Sequence, residues 1–248
     1  MTVQAAPEGL QLELDEGVVV ATLDRGEENL VSMEICRALV ELLHDPPPGA
    51  RVLRLRAAPP VFCLGRDRGA TDEEGLYQEA ETLVALNRAL GEGRLITVAE
   101  VAGDAAGYGV GLAALCDMSF AAPSARFWFP EVEAGLAPTV VLAWLPRLAQ
   151  RSHAFRLTAT GRRIDGRTAA SLGIVTEAAA EDAQLPALVD SEIAALLDRS
   201  ERAQREIPSF LHAASGAEAE EVDRRAIERL VANSIWLRTG AGDGLAGQ

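Results

Sequence analysis

The chain has 248 residues, 48% of them hydrophobic and 24% charged. That balance supports one sizeable core with at most a small appendage and excludes wholesale disorder. The formal charge of −14 argues against nucleic acid or an anionic membrane surface as a partner, since both attract a basic face.

Residues 10–14 alternate apolar and polar, Gly17 follows, and 18–23 is β-branched and apolar, which predicts an opening hairpin. Residues 31–43 carry Val31, Ile35, Leu39, Leu42 and Leu43 at helical spacing, stopped by Pro46-Pro47-Pro48-Gly49. A strand is expected over 51–57, then a turn-rich stretch to Thr71. A helix is expected over 76–90 and an apolar strand over 95–101. Residues 102–116 are glycine-spaced and then apolar. Short strands are expected at 117–122 and 125–129, helices at 140–148, 152–159 and 167–172, and a last strand at 174–177. From Ala183 onward the pattern is helical and more charged, with an amphipathic run over 222–237. Alternating strands and helices followed by helices alone predict an α/β core with a helical C-terminal appendage. We divide the chain at 1–185 and 186–248.

The cysteines, Cys36, Cys63 and Cys116, fit no metal-binding spacing and read as small buried thiols. No window reaches the roughly 18 apolar residues of a membrane span. The N-terminus lacks the basic region of a secretory signal, and the cytoplasm is the expected location.

Three segments could carry chemistry. Phe62-Cys63-Leu64-Gly65-Arg66-Asp67 follows a strand, and its glycine permits a tight bend that turns the next N–H into a cleft, though an ordinary turn would look the same. Gly103-Asp104-Ala105-Ala106-Gly107-Tyr108-Gly109-Val110-Gly111 follows an apolar strand and opens a helix, whose free N–H groups suit a developing anion. It lacks the Gly-Lys-Ser/Thr of a P-loop and the dinucleotide glycine spacing, and close helix–strand packing is its other reading. In Phe127-Trp128-Phe129-Pro130-Glu131, a carboxylate among aromatic residues is a candidate for a raised pKa and proton transfer. The same Pro-Glu also reads as a helix start. Glu133, two residues on, would face the other way in an extended segment.

Taken in order and spacing, these segments resemble the crotonase (enoyl-CoA hydratase/isomerase) superfamily. The likeness also covers Asp24–Ser32, Pro130–Pro138, Leu157–Ile164 and Ala169–Val175. It implies a crotonase-like ββα spiral core with a C-terminal helical region and a substrate held as an acyl thioester. The thioester oxygen is expected on the backbone N–H groups of Arg66 and Tyr108. Gly65, Asp67, Gly107, Gly109, Gly111 and Pro138 are expected around the substrate, with Glu131 as the acid/base residue. Coenzyme A enters only as part of the substrate, and no other cofactor or metal is expected. A carrier protein's phosphopantetheine arm could present the acyl group instead. The family's usual assembly is a trimer or hexamer.

Three departures matter. Tyr108 replaces a glycine. Gly111 stands where the hydratases have a second glutamate, so the resemblance favours an isomerase, or a lyase or decarboxylase, over a hydratase. Glu27 and Glu28 stand where relatives have cations for CoA. A catalytically weak member that binds an acyl thioester or a biosynthetic partner is the alternative. His44, His153 and His212 match no catalytic position.

Overall fold

Parallel strands buried on both faces read as near-continuous apolar runs; residues 18–23 have that character, whereas residues 52–57 alternate, with Arg54 and Arg56 only partly buried. The computed structural model describes residues 6–214. The order is β1 (Leu10–Asp15), β2 (Val18–Leu23), α1 (Met33–His44), β3 (Val52–Ala57), α2 (Glu73–Glu92), β4 (Ile96–Val101), β5 (Ala105–Ala106), α3 (Tyr108–Ala114), β6 (Met118–Ala121) and β7 (Arg126–Trp128). A 3-10 turn at Pro130–Ala134 leads to α4 (Thr139–Leu142), α5 (Leu145–Leu148), α6 (Arg151–Thr160), β8 (Ile164–Asp165), α7 (Gly166–Ser171) and β9 (Glu177–Ala178). A second 3-10 turn at Asp182–Gln184 leads to α8 (Leu185–Leu197) and α9 (Glu201–Ala214).

Six strands form one sheet in the order β1-β2-β3-β4-β6-β9; β1 runs antiparallel to β2, and the rest pair in parallel. The hairpin turns at Glu16 (φ 43°) and Gly17 (φ 86°), the paired positive φ values of a two-residue turn. A small second sheet, β5-β7-β8, lies apart from the first.

The core fills the space between the large sheet and the helices. Val19, Ala21, Leu53, Leu55 and Val98 of the strands meet Ile35, Leu39 and Leu43 of α1 and Leu83, Leu86 and Leu90 of α2. Each such side chain contributes about 1.5–3 kcal/mol on burial. α8 adds Leu185, Val189 and Ile193 to the same core. Arg51 holds the end of α8, donating to the carbonyls of Leu197 (2.8 Å) and Arg199 (2.7 Å) and to the side chain of Gln204 (2.8 Å). The chain divides into a unit ending at Arg205 and a second beginning at Glu206. The run at 222–237 falls outside the described residues. No described helix is long and apolar enough to cross a membrane.

Four sequence expectations need correction. Helix α1 starts at Met33, because the Ser32 side chain caps it by accepting the Ile35 N–H (3.3 Å), and Val31 pairs instead with Arg66. The expected helix over 140–148 is two short helices, α4 and α5: Trp144, at φ −121° and ψ −33°, leaves helical geometry, and Pro146, which has no N–H to give to a preceding turn, falls in the first turn of a new helix. The last strand begins only at Glu177, since Ile174 is drawn into the turn after α7 by its N–H bond to Ala169 (2.9 Å). The segment holding Glu133 is a 3-10 turn and not extended, and the Glu133 carboxylate lies against Gly161.

Candidate active site

The site grows from the ends of β3 and β4, where two loops are drawn together by backbone bonds. Asn29, buried and at φ 45°, accepts the Arg25 N–H (2.6 Å) and donates to the carbonyls of Ala58 (2.8 Å) and Val61 (3.0 Å). This ties the 24–31 segment to the turn before Phe62. The Val31 N–H then donates to Gly65 (3.0 Å), and the Asp67 N–H donates to Val31 (2.8 Å). In such a parallel bridge the residue between, Arg66, turns its own N–H to the opposite side. Among the described residues that N–H has no acceptor.

The second loop is joined to the first through Cys63. Its carbonyl accepts the Ala106 N–H (2.9 Å), and a Cβ on Gly109 would stand 2.0 Å from the same carbonyl oxygen. Only glycine allows α3 to approach so closely. Tyr108 is the first residue of α3, so its N–H has no intrahelical partner and, among the described residues, no other. Two free N–H groups thus sit on adjoining loops, each able to stabilise negative charge on an oxygen. The Tyr108 ring is buried, and its hydroxyl donates to the Leu83 carbonyl of α2 (3.0 Å).

Glu131 comes to this point from the 3-10 turn after β7, a placement made by the Gly107 N–H donating to the Trp128 carbonyl (2.9 Å). Gly107 has φ 53° and ψ −121°, and a Cβ there would lie 2.8 Å from Glu131 Oε1. Oε2 is buried without a hydrogen-bond partner. Burial raises the Glu131 pKa above the ordinary carboxylate value; its own backbone N–H and the charge of Arg68 oppose this. A carboxylate so placed can take up and return a proton.

The remaining expected residues divide. Gly65, at φ 139°, makes the bend that presents Arg66. Gly111 packs against Trp144, whose Cζ2 would stand 3.3 Å from a Cβ at that position. Pro138 is buried at the start of α4. Asp67 is held otherwise: one oxygen pairs with Arg25 (3.1 Å), the other accepts the Arg68 N–H (3.1 Å), and it braces the loop.

Two residues escaped sequence reading. Glu79 of α2 is 8% exposed, ion-paired with Arg66, and accepts the N–H groups of Gly69 (3.0 Å) and Ala70 (2.7 Å), clamping the loop after Arg66. Nothing distinguishes it in sequence from the other acids of α2. Trp144 lay inside a supposed continuous helix; Pro146 was the signal that the chain breaks there. All three cysteines are buried and unpaired, and burial pushes the thiols of Cys36 and Cys63 up to about 12 and about 11. His153 lines a separate cavity of about 320 Å³ with Arg126, Arg156, Arg162 and Arg163. Among the described residues no His, Cys, Asp or Glu cluster could hold a metal ion.

A ββα spiral whose bare helix start faces a half-buried carboxylate is the crotonase architecture. Residues 13–236 match the family model described as enoyl-CoA hydratase/isomerase. A Rhodobacter capsulatus protein named "Probable enoyl-CoA hydratase" is 33% identical over 174 residues, covering 68% of each chain. Cyclohexa-1,5-dienecarbonyl-CoA hydratase of Thauera aromatica is 28% identical over 200 residues, covering 79% of this chain and 77% of that one. Among solved structures, an enoyl-CoA hydratase/isomerase family protein from Silicibacter pomeroyi superposes with a TM-score of 0.85 at 26% identity, over 91% of this chain and 98% of that one. A Thermobifida fusca structure in complex with CoA superposes at 0.84 with 25% identity, over 93% and 95%. The chain belongs to the enoyl-CoA hydratase/isomerase family.

Proposed function

We propose that the protein is an acyl-CoA enzyme that moves a proton along an enoyl thioester, with Glu131 as its single acid/base group. The observation that carries this is the Glu131 carboxylate: its pKa is raised by burial, Oε2 is unpartnered, and Oε1 lies against Gly107, next to the free Tyr108 N–H. On this reading the Arg66 and Tyr108 N–H groups receive the thioester oxygen. Glu131 removes a C2 proton from a 3-enoyl thioester, and the electron pair moves onto that oxygen. The protonated Glu131 then delivers its proton to C4, the C=O re-forms, and the double bond rests between C2 and C3. Each N–H donor is worth about 2.7–4 kcal/mol to such a step.

Water addition asks for more. It needs a group to orient and deprotonate water besides the group that delivers the proton, and Gly111 has no side chain to do so. Trp144, which covers Gly111, carries an N–H that donates but accepts no proton. This favours isomerisation over hydration, although the relatives above are named hydratases. CoA is the favoured carrier, by analogy with the CoA-bound Thermobifida structure.

The test is NMR in D2O with 3-enoyl- and 2-enoyl-CoA. Isomerisation with deuterium entering the acyl chain is expected, and Glu131→Gln should remove it. Unchanged turnover in that variant would sink the role given to Glu131. Tight binding without turnover of any thioester would favour the catalytically weak, binding member.

A further inference from the structure

The charge of the chain changes sign locally. It has 37 acidic residues against 23 basic ones, yet residues 147–167 hold six arginines and one acid, Asp165. The fold gathers part of this charge around the cavity of about 320 Å³ that His153 lines. Arg126 comes from β7, His153 and Arg156 from α6, and Arg162 and Arg163 from the loop between α6 and β8. Leu157 and Ile164, both buried, supply an apolar lining. Arg66, Tyr108 and Glu131 take no part in it.

Exposed arginines are ordinarily solvated or ion-paired. Arg25, Arg54 and Arg66 each pair with a carboxylate. Arg156, Arg162 and Arg163 pair with none among the described residues. The one carboxylate at the cavity is already committed: Asp165 accepts the Thr168 N–H at the start of α7 (2.8 Å) and stands 3.8 Å from Arg126. Arg163 lies over the Trp128 ring, 4.2 Å from its centroid. Stacking uses the face of a guanidinium and leaves its N–H edges for an acceptor in the plane. Four guanidinium groups and an imidazole thus surround one concavity with a single carboxylate. Cations held together repel one another, and a bound anion relieves that cost.

We infer that this cavity is a binding site for a phosphate or diphosphate group, formed by none of the residues that meet the thioester. A guanidinium presents two parallel N–H groups to one phosphate, so arginine suits this ligand better than a point charge does. Several fixed cations favour a multiply charged group over a single carboxylate. Ligand pockets usually measure about 300–1,000 Å³, so this one admits a diphosphate with a small organic body over Leu157 and Ile164. The inference goes beyond the function proposed above and stands whether or not Glu131 moves the proton.

Calorimetry with inorganic pyrophosphate on the full chain tests it. Saturable binding is expected, and Arg156→Ala/Arg162→Ala should weaken it about tenfold or more, the effect of losing one charge-assisted hydrogen bond. Arg147→Ala/Arg151→Ala removes the same charge from exposed positions that do not line the cavity, and affinity should stay within about twofold. No saturable binding by the wild type overturns the proposal, and so does equal weakening in the two double variants. If the first pair does not fold, Arg156→Gln and Arg162→Gln serve singly; unchanged affinity in both overturns the proposal. Two thioesters then separate the sources of the phosphate, since butyryl-pantetheine lacks the phosphates of butyryl-CoA. Weaker binding of butyryl-CoA alone to Arg156→Ala/Arg162→Ala would support the site with coenzyme A as the source. Unchanged binding of both thioesters, with pyrophosphate binding lost, would support it with a separate phosphate ligand.

Discussion

Gly107→Ala bears directly on whether Glu131 works from where it is seen. At φ 53° and ψ −121° an L-residue is strained by about 1–3 kcal/mol. The new Cβ would also sit 2.8 Å from Glu131 Oε1 and 3.5 Å from its Cδ. A carboxylate is the free end of a side chain and can swing aside, so the stability loss should come from the backbone. For a chain of this size each kcal/mol lowers Tm by about 2–4 °C, which gives a fall of about 2–12 °C by calorimetry. The chemistry should suffer more, since a displacement of about 1 Å in a reacting group can cost about a hundredfold. Deuterium exchange at C2 of butyryl-CoA, followed by NMR, is the assay. Gly26→Ala is the control: it too has a positive φ, of 76°, but a Cβ there meets nothing within 4 Å, so it should lose stability and keep exchange within about twofold. If Gly107→Ala exchanged at the wild-type rate, the carboxylate beside Gly107 would not be the proton-transfer group.

Two further outcomes follow from the charges around the site. The folded pKa of Glu131 is raised, so the native state holds this proton more tightly than the unfolded chain does. The stability this gives is present below the ordinary value of 4.5 and lost as pH rises through the folded pKa. Glu131→Gln should therefore stabilise the fold above that folded pKa and leave it near wild type at pH 4, measured by urea unfolding, while the wild-type exchange rate climbs with pH as the carboxylate forms. Glu79 shows the opposite sign: the Ala70 N–H, then Arg66 and the Gly69 N–H, hold its pKa down against burial. Its contribution is present above the ordinary value and lost as pH falls through the folded one. Glu79→Gln should speed hydrogen exchange at Gly69 and Ala70 about tenfold at neutral pH, the effect of losing about 1.4 kcal/mol of local order; unchanged protection would mean the loop is held by something else.

The order of elements was legible because each strand and helix is long enough to show its period. Leu39 and Leu43 of α1, or Leu53 and Leu55 of β3, declare their faces unaided. β5 and β8 have two residues each, too few for any period, and exist only because β7 runs between them. The glycines at 107, 109 and 111 were visible as a run, but what each faces was not. Those neighbours come from 131, 63 and 144, so the contacts are products of the fold. Glu79 was hidden for a related reason: among the several acids of α2, only the return of the 66–70 loop singles it out.

That glycine run also decides how the site can be compared with its relatives. A helix beginning Gly-Tyr-Gly-Val-Gly offers Tyr108 alone as a large polar side chain near its start, and Tyr108 is turned to Leu83. What remains is a wall of backbone, and its chemistry is supplied by whatever abuts each glycine. A carboxylate meets Gly107, a carbonyl meets Gly109 and an indole meets Gly111. Position 111 is covered from another element: Trp144, at the α4–α5 junction, stands 3.3 Å from where a Cβ there would be. Gly111→Glu would drive its side chain towards that indole, so on the reading proposed above it should bring no hydration of 2-enoyl-CoA, and measurable hydration by the variant would refute that reading.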